Sequence, residues 1–154
     1  MSVTVCREEI YQAFLGESFD RAFAHGPSFT ANPLGCIAAL ASLSLFAEEN
    51  TLERIAVLEE IHRQRLLALA GHVRVQCPRV MGSIAALDIQ AADAGYASRI
   101  GLFLRSFFLE RGLLLRPLGN TLYLLPPYCI TDNELHRAWD CVESALKHLP
   151  PAEI

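Results

Sequence analysis

The order of apolar patterns in the second half of the chain constrains its fold most strongly. Apolar stretches of strand length occur at 73–75 and 83–89, and again at 113–116 and 121–125 on either side of a turn. An amphipathic helical pattern over 96–111 separates the two pairs. Because the strands lie close together without regular β–α–β alternation, we expect an α+β fold in which helices pack on a small, mostly antiparallel sheet.

Helices are predicted in the first third of the chain as well. A short helix is expected at 7–15 and an irregular loop at 17–31. Asn32 and Pro33 suit the cap and the first turn of a helix whose apolar residues keep helical spacing over 34–45. Small residues on this helix would let another element approach closely: Gly35, Ala38, Ala39, Ala41, Ser42 and Ser44.

Two capping boxes are predicted to open longer helices. Asn50 with Glu53 would start a helix over 51–70, and Thr131 with Glu134 would start the final helix. The inward faces of the three later helices are predicted to be Leu52, Ile55, Leu58, His62, Leu66 and Leu69, then Ile100, Phe103, Leu104, Phe107 and Phe108, and finally Leu135, Ala138, Trp139, Val142, Ala145, Leu146 and Leu149.

Composition argues against several classes of function. A net charge of −4 without a basic cluster argues against nucleic-acid binding, and no apolar run reaches the ~18 residues of a membrane helix. Five scattered cysteines without zinc-ligand spacing favour buried thiols in a reducing cytoplasm. Charged residues make up 19% of the chain, below the usual ~25%. The apolar excess either fills the core or leaves a surface for a partner.

Candidate binding residues lie in two segments. Gly26, Pro27 and Ser28 precede a helix start, where N–H groups, a hydroxyl and the helix dipole suit a phosphate. The same pattern is also common at capped helices that bind nothing. Arg116 stands among leucines and must find an acceptor, so it suits either a substrate carboxylate or an ordinary ion pair or surface position. Tyr123 would line an aliphatic pocket or pack in the core.

The two segments together resemble the class III aminotransferases, which use pyridoxal 5′-phosphate. The resemblance is carried by His25-Gly-Pro-Ser-Phe-Thr-Ala-Asn-Pro-Leu-Gly-Cys36 and by Leu115-Arg-Pro-Leu-Gly-Asn-Thr-Leu-Tyr-Leu-Leu-Pro-Pro-Tyr128. It covers essentially the whole chain but only the C-terminal portion of such an enzyme. The second motif is the more specific one. It indicates the branch of biotin synthesis, which acts on a small-molecule oxononanoate with S-adenosylmethionine as the amino donor.

The resemblance implies roles for individual residues. The matching loop in the family crosses a homodimer interface to the cofactor phosphate of the neighbouring subunit, so Pro27 and Ser28 are expected to bind pyridoxal phosphate. Ser28 replaces the usual threonine and keeps its hydroxyl. Gly26, Arg116 and Tyr123 are expected to bind the substrate, with Arg116 on its carboxylate.

The resemblance also implies a division into domains. Residues 1–50 would be an interface helix, the phosphate loop and the small-residue helix of a large domain. Residues 51–154 would be the C-terminal small domain of fold-type I transferases that depend on pyridoxal phosphate.

Lys147 is the only lysine in the sequence, and it lies near the end of the final helix, where it offsets the helix dipole. The lysine that tethers the cofactor in the family would lie upstream of this chain. We therefore expect no catalytic residue here and no transaminase activity without that missing N-terminal portion. Two alternatives stay open: a non-catalytic domain that docks through the helix at 34–45, and a class III enzyme for another amino or keto substrate.

Overall fold

The computed structural model describes residues 2–151, which form two compact units that divide between Glu49 and Asn50. The first unit contains helix α1 (Glu8–Ala13), a short 3-10 helix (Phe19–Arg21) and helix α2 (Pro33–Glu48). The second unit contains, in chain order, α3 (Thr51–Leu69), β1 (Val75–Met81), β2 (Ile84–Ile89), α4 (Ile100–Leu109), β3 (Thr121–Leu124) and α5 (Asp132–Lys147). No helix within residues 2–151 has the length and apolar content required to cross a bilayer.

Helix α2 begins where the sequence predicted. Asn32 Oδ1 accepts a hydrogen bond from the Leu34 N–H at 3.0 Å and so caps the helix, while Pro33 occupies its first turn. Apolar residues lie on all sides of α2, and no residue of 2–49 is buried; Leu34 is 78% exposed. Helix α2 therefore has the composition of a helix that normally lies inside a protein.

The strands of the second unit form an antiparallel sheet in the order β1–β2–β3. Strand β2 is central, and its Ala85 and Leu87 lie opposite Leu124 and Leu122 of β3. These side chains and Ile89 are buried on one face of the sheet, because side chains alternate between the two faces of a strand. Helices α3, α4 and α5 complete the core on that face, which confirms the predicted α+β fold with a small antiparallel sheet.

The position predicted for the first strand is wrong. Strand β1 runs over Val75–Met81 and not over 73–75, because an edge strand with mostly exposed side chains carries little apolar signal. Its pairing with β2 is interrupted by a bulge between Gln76 and Arg79, where Cys77 has a φ of 47°. The exposed edge and the bulge explain why apolar periodicity did not locate this strand.

The strand predicted at 113–116 is also wrong, since no strand within residues 2–151 pairs with it. Leu113 and Leu115 pack against the core while Leu114 is exposed, so the alternation comes from packing of an irregular segment. A single bridge between Leu118 and Thr121 is the only pairing found in the predicted hairpin.

Helix boundaries agree only in part with the sequence signals. The capping box of α5 is confirmed: the Thr131 N–H donates to Glu134 Oε2 at 2.9 Å, and the Glu134 N–H donates to Thr131 Oγ1 at 3.3 Å. The box predicted at Asn50 is wrong, because Asn50 adopts a left-handed conformation and its side chain makes no capping hydrogen bond. Helices α1 and α4 are shorter than the stretches predicted at 7–15 and 96–111.

The core of the second unit follows the predicted inward faces with two exceptions, Leu52 and Ile55, of which Ile55 is half-buried outside the core cluster. Leu52 is 71% exposed, because its position on α3 faces away from the sheet. Besides Thr51 at the start of α3, the buried helical side chains are Leu58, Ile61, His62, Leu66, Leu69, Ile100, Leu104, Phe107, Phe108, Leu135, Ala138, Trp139, Val142, Ala145 and Leu146. Ile61 was not predicted, and the other members of this set were.

A buried polar contact joins α3 to α5. Trp139 Nε1–H donates a hydrogen bond to His62 Nδ1 at 3.0 Å, and the two rings meet edge to face with their centroids 5.7 Å apart. Both side chains are fully buried. Burial lowers the pKa of His62 and outweighs the smaller effect of the Ser83 backbone, which raises it. Within residues 2–151, the Nε2 atom of His62 has no hydrogen-bond partner. The neutral imidazole is therefore the form that fits the core.

We expect the free energy of unfolding to fall as the pH decreases below ~6.5, the ordinary pKa of histidine. The unfolded chain takes up a proton at His62 before the folded chain does, so acid favours unfolding. The loss by pH 5.5 should be at most about 1.4 kcal/mol for this residue. Urea unfolding at pH 7.5, 6.5 and 5.5 measures it.

Two variants separate His62 from the other histidines. His62→Gln should weaken the pH dependence, whereas His25→Gln, which removes an exposed imidazole from the first unit, should keep it. An unchanged pH dependence in His62→Gln would show that burial of this ring is not the cause.

Candidate functional site

The predicted phosphate loop forms a turn directly before α2. The Pro27 carbonyl accepts two hydrogen bonds, from the Thr30 N–H at 3.0 Å and from Thr30 Oγ1 at 2.7 Å. Ala31 follows with a φ of 56°, and Asn32 then caps the helix. The turn thus fixes the backbone between Gly26 and the start of α2.

Hydrogen-bond donors in this turn are left free. Ser28 Oγ and the N–H groups of Ser28 and Phe29 have no partner within residues 2–151, and all three belong to exposed residues next to a helix N-terminus. Free N–H groups and a hydroxyl at this position fit the phosphate of pyridoxal phosphate. Gly26 is less constrained: an added Cβ would meet only Thr30 Oγ1, at 3.8 Å.

Arg116 lies in a cleft of the second unit. The cleft has a volume of about 190 Å³ and is lined by Tyr96, Ser98, Gly101, Leu102, Arg105, Arg116, Pro117, Leu118 and Gly119. Arg116 and Arg105 are exposed, and neither guanidinium forms a hydrogen bond or an ion pair within residues 2–151. The structure therefore brings the predicted Arg116 together with a second arginine, which the sequence motifs did not indicate.

One wall of the cleft is a contact between two backbones. A Cβ added to Gly101 in α4 would lie 2.6 Å from the Gly119 carbonyl oxygen, so the loop before β3 approaches the helix more closely than a side chain permits. Gly119 itself has a φ of 60°, and an added Cβ would clash with the carbonyl of Gly95. Glycine is required at both positions to place the loop against α4.

Asn120 holds the same loop from the other side. Its Oδ1 accepts from the Gly95 N–H at 2.7 Å, and its Nδ2 donates to the Ile89 carbonyl at 3.0 Å. The Ile89 N–H also donates to the Asn120 carbonyl at 2.8 Å, which ties the loop to the end of β2. These bonds fix the chain four residues after Arg116.

The start of α4 is fixed by Asp93. Its carboxylate accepts from the Arg99 N–H at 2.9 Å and from Ser98 Oγ at 2.8 Å. These two hydrogen bonds, the Arg99 N–H first, lower the pKa of Asp93. The Ser98 hydroxyl donates to this carboxylate, so Asp93 stays ionised and its oxygens are occupied by hydrogen bonds at the helix start.

Tyr123 does not line the cleft. It lies half-buried on β3, opposite Ala86 and on the face of the sheet that bears Thr121 and Asp88. Burial tends to raise the pKa of Asp88, but hydrogen bonds from Arg79 and Thr121 and the charge of Arg79 outweigh it, so the pKa is lowered. The charged pair of Arg79 and Asp88 lies on the same face of the sheet as Tyr123. The substrate role of Tyr123 stays a prediction.

Replacement of Gly119 by alanine should destabilise the second unit more than the same change at Gly112. Both glycines have left-handed φ values, 60° and 76°, so each variant pays about 1–2 kcal/mol of backbone strain. Only Gly119→Ala also meets neighbouring backbone, which should cost about 1–3 kcal/mol more.

Urea unfolding of both variants measures the difference, and Gly112→Ala serves as the control because nothing lies within 4 Å of its added Cβ. Equal losses of unfolding free energy in the two variants would contradict the close contact at Gly119.

Known proteins resemble this chain both in sequence and in fold. The chain matches the family model of aminotransferase class III over residues 1–146. It is 46% identical over 149 residues to an adenosylmethionine-8-amino-7-oxononanoate aminotransferase of Synechococcus elongatus, with 97% of this chain and 35% of that protein covered. A protein of the same name from Geobacter sulfurreducens is 33% identical over 152 residues, with 95% and 34% covered.

The fold has a solved counterpart. The crystal structure of the adenosylmethionine-8-amino-7-oxononanoate aminotransferase of Methanocaldococcus jannaschii matches with a TM-score of 0.81 and 31% sequence identity, over 94% of this chain and 34% of that one. The chain spans about a third of the length of the relatives it matches. The family model covers nearly the whole chain, and the resemblance predicted from the two motifs is confirmed: the chain belongs to the class III aminotransferase family.

Proposed function

We propose that this chain is the C-terminal part of a transaminase that converts 8-amino-7-oxononanoate into 7,8-diaminononanoate with S-adenosylmethionine as the amino donor. The names of the relatives with up to 46% identity support this substrate pair. The structural observation that carries the proposal is the cleft at Arg116, where a guanidinium without an internal partner is available to the carboxylate of an oxononanoate.

Pyridoxal phosphate, when bound, supplies the electron-withdrawing ring that amino transfer requires. Ser28 Oγ and the adjacent N–H groups would donate hydrogen bonds to the phosphate of the cofactor in the neighbouring subunit, and Pro27 fixes the turn that presents them. Arg116 binds the substrate carboxylate and so orients the far end of the molecule, where the keto group reacts. Gly26, on the loop that would cross to the neighbouring subunit, and Tyr123, which lies outside the Arg116 cleft, are further proposed substrate contacts. No side chain within residues 2–151 is assigned a proton-transfer step.

The rest of the active site is proposed to come from another part of the protein. Lys147 is the only lysine of the chain, and it lies in the exposed last turn of α5, away from the residues that line the Arg116 cleft. We propose that residues 1–50 belong to a large domain and 51–154 to a small domain. The division between Glu49 and Asn50 supports that boundary.

The exposed apolar surface of α2 supports two further parts of the proposal. An N-terminal portion and a second subunit of a homodimer would cover this helix, which has no buried residue in the described chain. The relatives are about three times as long as this chain, so a protein of their length has enough further residues to cover α2. All five cysteines are free thiols, which suits a cytoplasmic enzyme, but the prediction that they are buried is wrong, because three are exposed and two are half-buried.

Mixing the chain with an N-terminal fragment that carries the cofactor lysine should produce transaminase activity and the visible absorbance of bound coenzyme. Neither polypeptide alone should show turnover. The control is the same mixture with the lysine of the added fragment changed to alanine. Turnover by the chain alone would refute the proposal. A stable complex with neither coenzyme binding nor turnover would favour a non-catalytic docking domain.

In the reconstituted enzyme, Arg116→Ala should raise the KM for 8-amino-7-oxononanoate by about 10- to 100-fold, since a charge-assisted contact to a carboxylate contributes ~1.5–3 kcal/mol. The KM for S-adenosylmethionine measured beside it should change less. Arg137→Ala, which removes an exposed arginine from α5, is the matched control. An unchanged KM for the oxononanoate would exclude the carboxylate role of Arg116.

A further inference from the structure

We propose that Arg105 is a second substrate-binding residue, which acts with Arg116 to make the cleft selective for a carboxylate. This inference rests on the proposed function, because it assigns a ligand to the same cleft. It adds a residue that lies outside both sequence motifs, on helix α4.

The composition of the cleft favours an anion. Its lining contains two arginines and no aspartate or glutamate. Two other cavities of the second unit differ in this respect. One combines Arg74 and Arg99 with Asp93, and another combines Arg111 and Arg137 with Glu134. Cations raise the local electrostatic potential most where no acid shares the lining, so the cleft at Arg116 is the one of these three that best suits an external negative charge.

The two guanidiniums are also free to bind. Most other arginines of the second unit have partners: Arg54 donates to Asp132 at 2.7 Å, and Arg79 forms two hydrogen bonds of 3.1 Å to Asp88. Arg137 forms no such bond within residues 2–151, but its cavity also contains Glu134. Arg105 and Arg116 form no hydrogen bond and no ion pair within residues 2–151. Both face solvent at the cleft and keep all their donors for a ligand.

The elements that carry the two arginines are held together. Arg105 lies four residues after Gly101, so both share one face of α4 and both line the cleft. Gly101 contacts the Gly119 carbonyl, and Gly119 lies three residues after Arg116. The backbone contact therefore holds the segment that carries Arg116 against the helix that carries Arg105, so that both arginines line one cleft.

The size of the cleft limits what it accepts. Its volume of about 190 Å³ is below the ~300–1,000 Å³ of pockets that enclose a whole drug-sized ligand. It therefore accommodates an end group and not a complete nine-carbon substrate. A carboxylate has about four acceptor sites and can accept from two guanidiniums at once. The second cation thus increases the preference for a carboxylate over an uncharged amide or ester.

Binding of hexanoate to the 154-residue chain tests this proposal, with hexanamide as an uncharged probe of the same length. The ¹⁵N NMR signals of Gly101 and Gly119 report on the cleft. Hexanoate should shift both signals in a saturable way, and hexanamide should not. Arg105→Gln and Arg116→Gln should each raise the dissociation constant for hexanoate by about 3- to 10-fold, as expected for one charge-assisted contact in an exposed cleft.

Arg137→Gln is the control, because it removes the same charge from another cavity and should leave hexanoate binding unchanged. Wild-type affinity in Arg105→Gln, an equal loss in Arg137→Gln, or no saturable shift in the wild type would each overturn the role of Arg105. The assay needs neither cofactor nor turnover. If only Arg116→Gln loses binding, the role of Arg105 is rejected and the proposed function stands. If reconstitution fails while hexanoate binding is normal, the proposed function is rejected and the role of Arg105 stands.

Discussion

The backbone contact between Gly101 and Gly119 is the constraint on which the candidate substrate site depends. It places the loop before β3 directly on helix α4, at a distance that excludes any Cβ at position 101. Asn120 and Asp93 secure the two partners of this contact, since Asn120 ties the loop to Ile89 and Gly95 and Asp93 caps the helix start. Arg116 is consequently an exposed side chain on a fixed backbone, which suits binding because little order has to be created when a ligand arrives.

The two units differ in how they satisfy the hydrophobic effect. The second unit buries its apolar side chains between one face of the sheet and three helices, and its buried polar pair, Trp139 with His62, is joined by a hydrogen bond. In the first unit no residue of 2–49 is buried, although α2 is apolar on every side. In the proposed enzyme, the N-terminal portion and the second subunit would bury this apolar surface, and the turn at Ser28 would depend on the same contacts.

Much of the fold could be predicted because it follows from local chemistry. The Thr131 capping box and the inward faces of the helices rest on spacing along one element, so the sequence contains them completely. Strand β1 could not be found in this way, since it is an exposed edge with a bulge and its place depends on pairing with β2. Leu113 and Leu115 misled for the opposite reason: packing against the core gave an unpaired segment the alternation of a strand.

The candidate site likewise contains some residues that could be predicted from the local sequence and one that only the tertiary structure reveals. Gly26–Ser28 and Arg116 lie in contiguous motifs and could be predicted, whereas Arg105 enters the cleft only through the packing of two glycines. Apart from Arg105, Arg116 and Arg137, each arginine of the second unit forms a hydrogen bond or an ion pair, and Arg137 shares its cavity with Glu134. Arginine pairing is thus the local rule here, and places that break such a rule are where functional sites are expected. Two unpaired guanidiniums on rigid backbone, in a cleft with no acid, are most economically explained by a ligand that brings the missing charge.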